Sequence, residues 1–148
     1  ASASYNAVQY FMDARNFLND SNVLQFQDLA NYWESGATFD SIQYQVNNTF
    51  LQNYTNDVME ACKRTNINPY YILARLFQEQ GSSGSGTIDM DGGDGKRYFN
   101  PFNIGARVGN DVQTALERAK REGWDSMEKG LEGGINIIKE RYIICYKI

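Results

Sequence analysis

A mostly helical α+β domain is the class this sequence predicts, on three observations. Apolar residues recur three and four apart through two long blocks, a glycine-rich stretch at 81–95 separates the blocks, and short apolar segments flanking an acidic Gly-rich tip fit a hairpin. The length of 148 residues fits one domain spanning 1–148, with enough chain to bury a core. With 42% apolar and 22% charged residues, collagen-like, low-complexity and disordered classes are excluded for the chain as a whole.

The first block opens with Asp13-Ala14-Arg15-Asn16-Phe17-Leu18, a predicted short helix. It continues from a cap at Ser21 through Val23, Leu24, Phe26, Leu29, Ala30 and Trp33 at helical spacing. Ser35-Gly36 reads as a stop. In residues 39–46 the alternation of Ile42, Tyr44 and Val46 fits a strand as well as a helix, and the segment is assigned to helix. Phe50, Leu51, Tyr54, Val58, Met59, Ala61 and Cys62 predict another helix, ending at Asn66. The following helix has the clearest start: Asn68 is a preferred N-cap, and Pro69 takes the first position, where its missing N–H costs nothing. Tyr70, Tyr71, Ile72, Leu73, Ala74, Leu76 and Phe77 then predict burial on nearly all sides. That helix ends in Gln78-Glu79-Gln80-Gly81, and polar side chains on the last turn of an apolar rod are the kind of conflict that marks a site.

In the glycine-rich stretch, Thr87-Ile88 and Arg97-Tyr98-Phe99 flank Asp91-Gly92-Gly93-Asp94-Gly95, the expected hairpin. Turn formers fill Asn100-Pro101-Phe102-Asn103-Ile104-Gly105-Ala106. Helices resume at 111–122, with Val112, Ala115, Leu116 and Ala119 inward, and at 126–146, with Met127, Leu131, Ile135, Ile138, Tyr142 and Cys145 on one stripe. Gly130, Gly133 and Gly134 lower the propensity of that last helix and point to close backbone packing.

Composition narrows the chemistry. Fourteen Lys and Arg against 18 Asp and Glu leave a net charge of −4, without the basic excess that displaces counterions from nucleic acid. The sequence carries no apolar run of about 18 residues, so no membrane insertion is expected. Ala1-Ser2-Ala3-Ser4 lacks the regions of a signal peptide, although a signal removed upstream stays open. Without histidine, and with Cys62 and Cys145 alone, the parts of a zinc site or of a Ser-His or Cys-His pair are missing, and neither metal nor cofactor is expected. The two cysteines read best as small buried side chains, and spacing does not decide whether they pair. Catalysis therefore falls to carboxylates, Tyr, Lys, Arg or amides. The 10 Tyr, 8 Phe and 2 Trp exceed what such a core needs, so some should face a ligand.

Glu79 is the strongest catalytic candidate. Leu76 and Ile72 precede it by three and seven residues, so its carboxyl emerges from an apolar wall, and desolvation and the helix C-terminus both favour a neutral acid. A protonated carboxylic acid is what a glycosidic oxygen needs from its donor. Arg75, four residues earlier, opposes this, and on spacing alone an exposed Glu paired with Arg75 carries more weight. Tyr98-Phe99-Asn100-Pro101-Phe102-Asn103 offers ring faces and amides to a sugar, or else a loop that plugs a small core. Tyr142 is by default a core tyrosine. Asp89-Met90-Asp91-Gly92-Gly93-Asp94 departs from a calcium loop, with Asp94 where glycine and Asn100 where glutamate would stand, and reads as a solvated turn.

The stretch from Asn68-Pro69 to Gln78-Glu79-Gln80-Gly81 forms a pattern with Tyr98-Phe99-Asn100-Pro101-Phe102-Asn103-Ile104-Gly105-Ala106, Gly133-Gly134-Ile135 and Glu140-Arg141-Tyr142-Ile143. With Phe11-Met12-Asp13-Ala14-Arg15-Asn16-Phe17-Leu18 it spans most of the chain, and it resembles the bacterial endo-β-N-acetylglucosaminidases of glycoside hydrolase family 73. Ala14 stands where that family commonly has proline. The resemblance implies a lysozyme-like fold whose cleft lies between a helical lobe and a hairpin lobe. It implies hydrolysis of the β-1,4 bond of peptidoglycan between N-acetylglucosamine and N-acetylmuramic acid, with Glu79 as general acid. Gln80, Tyr98, Phe99, Asn100, Phe102, Asn103 and Ile104 are the expected substrate-binding residues. Tyr142 would join Glu79 in catalysis, orienting the substrate's acetamido group with Asn103.

Asp89, Asp91 and Asp94 are the candidate second carboxylates, with Asp111 and Glu117 more remote; a substrate-assisted route is favoured over two carboxylates. A muramidase, a lytic transglycosylase or a non-catalytic peptidoglycan-binding module remain the alternatives. The expected setting is a secreted or wall-associated autolysin-type hydrolase, a monomer acting on glycan strands. With no wall-binding repeats and a net negative charge that opposes adhesion to an anionic wall, other modules of a longer protein are expected to supply attachment.

Overall fold

Helix caps set the segmentation. The computed structural model describes residues 4–13 and 31–143. Its elements are α1 (Tyr5–Met12), α2 (Phe39–Val46), α3 (Thr55–Thr65), α4 (Pro69–Gln80), β1 (Met90–Asp91), β2 (Arg97–Tyr98), α5 (Asp111–Glu122) and α6 (Met127–Ile138), with a π-helical turn at Lys139–Ile143. Thr38 and Ser41 form a capping box on α2, which resolves the 39–46 ambiguity in favour of helix. Asn68 accepts from the Tyr70 amide at the start of α4, with Pro69 in the first turn as expected. Asn66 and Gly123, both left-handed, close α3 and α5.

α3 packs along α6, and the main core joins Val58, Ala61 and Cys62 of α3 to Leu131, Ile135 and Ile138 of α6, with Ile42 and Val46 of α2 and Ile72 and Leu76 of α4. A second, smaller cluster joins Met90 and Tyr98 of the hairpin to Ala115 and Ala119 of α5 and to Trp124. Ile104 packs against both clusters and links them. The glycines of α6 sit where the elements meet. A methyl group on Gly130 would lie 2.6 Å from the Phe99 carbonyl oxygen, and methyls on Gly133 and Gly134 would collide with the Trp124 and Phe102 rings.

Several expectations need correction. α1 was not anticipated; Ser4 caps it, and Tyr5, Val8 and Tyr10 on it are exposed, so it lacks the buried stripe that periodicity detects. The helices expected at 13–18 and from Ser21 fall outside the described residues, apart from Asp13, which caps the end of α1, and Trp33, which is exposed. The segment from Phe50 to Tyr54 is a run of turns before α3, because the Phe50 amide donates to the Ser82 carbonyl rather than into a helix. In the hairpin Met90 pairs with Tyr98 and Asp91 with Arg97, so the first strand is Met90–Asp91 and not Thr87-Ile88. α4 is not buried all round, since Ala74 and Gln78 are exposed. Val112 faces outward. The last helix changes to π-helical geometry at Lys139.

Candidate functional site

α4 is amphipathic at its C-terminal end because Arg75, Gln78 and Glu79 share one face. Arg75 donates through Nη1 to Gln78 Oε1 at 2.8 Å and through Nη2 to Glu79 Oε1 at 3.2 Å. Both side chains of the Arg75–Glu79 ion pair are 30% exposed, so the pair is neither free in solvent nor sealed in the core. The carboxyl of Glu79 borders an open cleft of about 460 Å3, lined also by Ser85, Asn103, Asp111 and the loop at 106–109. α4 stops at Gln80 because Gly81 adopts a φ of +65°, which turns the chain away from the helix axis.

Beneath this cleft lies a knot of amides and hydroxyls centred on Gln80, which is 6% exposed. Its Nε2 lies within hydrogen-bonding distance of the Pro101 carbonyl at 2.9 Å, Thr87 Oγ1 at 3.1 Å and Asn103 Oδ1 at 3.1 Å. Its Oε1 accepts from the Ser85 amide at 3.2 Å and from the Ser85 hydroxyl. Asn103, in the left-handed region at φ +52°, donates from Nδ2 to the Glu79 carbonyl at 3.0 Å, while its Oδ1 accepts from Thr87 Oγ1 at 2.5 Å. One side chain thus ties the 85–87 turn and the 101–103 turn to the end of α4, and Asn103 holds the main chain of Glu79 itself.

The other sequence-predicted residues are dispersed. Gln80 turns its amide inward, away from the cleft. Asn100 is fully buried, donating to the Ile104 and Ala115 carbonyls and accepting from the Ile104 amide. Phe102 packs in the main core against Gly134, and Tyr98 packs in the second cluster. Ile104 is half-buried between the clusters. Phe99 opens on a different groove, of about 580 Å3, with Tyr54, Asp57, Lys96, Arg97 and Asp125. There burial, before any other influence, raises the Asp57 carboxyl above its ordinary range. The Tyr142 side chain lies outside the described residues.

None of the three hairpin aspartates lines the Glu79 cleft. Asp89 pairs with Arg97 at 2.7 Å, Asp91 accepts from the Gly93 amide, and Asp94 accepts from the Tyr98 hydroxyl at 2.9 Å and from the Lys96 amide. The Tyr98 hydroxyl, the largest influence, holds the Asp94 carboxyl below its usual range. The carboxylate that shares the cleft with Glu79 is Asp111, in the first turn of α5, where an acidic side chain complements the helix dipole. Sequence reasoning placed Asp111 as remote and passed over Ser85 and Arg107. The available signal was the pair of turn glycines at 105 and 109, both with positive φ, which fold the intervening loop back over α4.

No family model matches the chain. A bifunctional autolysin of Staphylococcus epidermidis is 27% identical over 158 aligned residues, covering 97% of this chain and 11% of that protein. A bifunctional autolysin of Staphylococcus aureus is 25% identical over 153 residues, covering 95% of this chain and 12% of that protein. The crystal structure of S. aureus glucosaminidase B superposes with a TM-score of 0.81 at 28% identity, covering 97% of this chain and 58% of that one. The chain therefore spans about a ninth of the autolysins it matches and just over half of the solved glucosaminidase chain. These likenesses bear out the resemblance drawn from the sequence, and with it the mostly helical fold carrying a small two-stranded sheet.

Proposed function

We propose that the chain is the catalytic domain of a peptidoglycan hydrolase, an endo-β-N-acetylglucosaminidase that cuts the β-1,4 bond between N-acetylglucosamine and N-acetylmuramic acid, with Glu79 as general acid. One observation carries the reading: in a fold shared with a glucosaminidase, the carboxyl at the end of α4 opens into a cleft walled by a glycine-flanked loop, with its own main chain pinned by Asn103. A glycan strand needs an open groove of this kind. Glu79 gives its proton to the glycosidic oxygen as the bond to the anomeric carbon breaks, and the 2-acetamido oxygen of the sugar attacks that carbon. Water then opens the ring so formed, losing its proton to the Glu79 carboxylate. The Tyr142 hydroxyl is the proposed orienting group for the acetamido function. By this reading the protein acts at the cell wall, outside the membrane, as one module of a longer chain.

A second mechanism is favoured by the position of Asp111, the carboxylate on the same cleft. There Asp111 would activate water or attack directly, and retaining and inverting outcomes are set by the carboxylate separation, about 5 Å against 6.5–9.5 Å. Glu79→Gln keeps the shape and removes the acid, so lysis of purified peptidoglycan should fall by about 10²–10⁴-fold while wall binding persists. Undiminished lysis by that variant would overturn the proposal. Reducing ends converted to glucosaminitol by borohydride support the assigned bond, whereas muramicitol or anhydromuramic ends would show a muramidase or a transglycosylase. Asp111→Asn separates the two routes: retained configuration with activity near the parent level supports substrate assistance, and collapse of activity supports Asp111.

A further inference from the structure

We propose that a notch beside the Glu79 cleft is an oxyanion subsite, which takes a carboxylate or phosphate carried by the wall polymer bound in the cleft. The inference rests on the peptidoglycan reading above. The notch, about 290 Å3, is lined by Gly105, Arg107, Thr114, Glu117, Arg118 and Arg121. Arg107 lines both the notch and the cleft, so the two adjoin across a single side chain. Three arginines line this notch on a chain whose net charge is −4.

The acidic groups nearby leave this charge partly unanswered. Glu122 Oε1 lies 3.0 Å from Arg118 Nη2 and 3.7 Å from Arg121 Nε, and Glu117 Oε1 accepts from Gln113 Nε2 at 3.0 Å. Among the described residues no ion pair engages the Arg107 guanidinium, and Arg118 Nε is buried without a hydrogen-bond partner. Gly105, at φ +79°, lays its backbone along the Arg118 stem, where a methyl group would stand 3.5 Å from Arg118 Cβ. That stem is therefore ordered before a ligand arrives, which lessens the entropy lost on binding. Planar guanidinium forks suit groups that present two oxygens, and peptidoglycan stem peptides and phosphate-bearing wall polymers both carry such groups.

The test uses Arg121→Gln, which leaves the cleft lining untouched, on soluble wall fragments in four forms: intact, freed of stem peptides by an amidase, freed of phosphate polymers by acid, and freed of both. On intact fragments the variant should show roughly fivefold higher KM at unchanged kcat, the scale of one exposed ion pair. The difference should vanish on one stripped form, and that form names the source of the anion. A KM equal to the parent's on intact fragments, or a difference that persists on fragments stripped of both, overturns the proposal. Failure of the parent chain to cleave any wall would instead remove the function proposed above. The notch is then read by NMR titration with inorganic phosphate: shifts centred on residues 105–121 that weaken in Arg121→Gln support it, and shifts unchanged by the substitution overturn it.

Discussion

Gln80 sits one residue beyond the proposed acid and does different work. Its amide has no free valence for a sugar, because its donors and its oxygen are engaged by Ser85, Thr87, Pro101 and Asn103. Replacing it with leucine would keep the volume and leave several buried polar atoms unanswered, at a cost of roughly 3 kcal/mol. Urea unfolding of Gln80→Leu should show that loss. If Gln80 only touched substrate, the variant would unfold like the parent and lose affinity instead. The Gln-Glu-Gln run was legible as a place where pattern and burial conflict. Which glutamine points inward was not, since Gln78 and Gln80 are identical in type and differ only in the face that α4 presents to turns far along the chain.

At the scale of elements, α6 and the hairpin test different forces. Gly130 is helical and buried against a main-chain carbonyl, so the methyl of Gly130→Ala meets an atom that cannot rotate away. Helix propensity alone would gain about 1 kcal/mol from that change. Overpacking should outweigh it, leaving a net destabilisation of about 2 kcal/mol in thermal or urea unfolding. Close packing at Gly130, Gly133 and Gly134 was readable in the sequence because glycine inside a helix has a cost that needs a reason.

The hairpin depends on pH instead. The Tyr98 hydroxyl holds the Asp94 carboxyl below its unfolded value of about 3.9, so this contribution is complete above that value and is lost as pH falls through the folded one. Protection of the Met90 and Tyr98 amides against exchange, taken relative to their intrinsic rates, should therefore fall below about pH 4, and Asp94→Asn should flatten that dependence. Protection that stays constant into acid would show that Asp94 does not support the turn. Register was not legible here: two-residue strands are too short for alternation to set, and contacts of Tyr98 with α5 and Trp124 decide it.

Across the whole molecule, one core carries α2, α3, α4 and α6, and the hairpin with α5 forms a second cluster joined to it through Ile104. Cys62 lies at the centre of the first, fully buried, and burial pushes its thiol far above the ordinary range. A buried, protonated thiol does not react. Iodoacetamide at neutral pH should leave Cys62 unlabelled in the folded protein and label it in denaturant, with mass spectrometry locating the site. Labelling of the folded chain at that residue would mean that α3 and α6 part under native conditions.

Local chemistry written in the sequence determined the helical class, the cap of α4, the limits of α5 and the glycine contacts of α6, and it singled out Glu79 as a candidate. Each of these depends on residues within about a turn of one another or on a single residue's conformational cost. Tertiary structure alone decided that Asp111 and not a hairpin aspartate borders the cleft, that Asn100 and Phe102 serve the interior, and that Arg107 joins cleft to notch. Those outcomes depend on hydrogen bonds and packing between segments set apart along the chain, as in the Gln80–Pro101 and Asn103–Glu79 contacts, and no periodicity along the chain encodes where two such segments will meet.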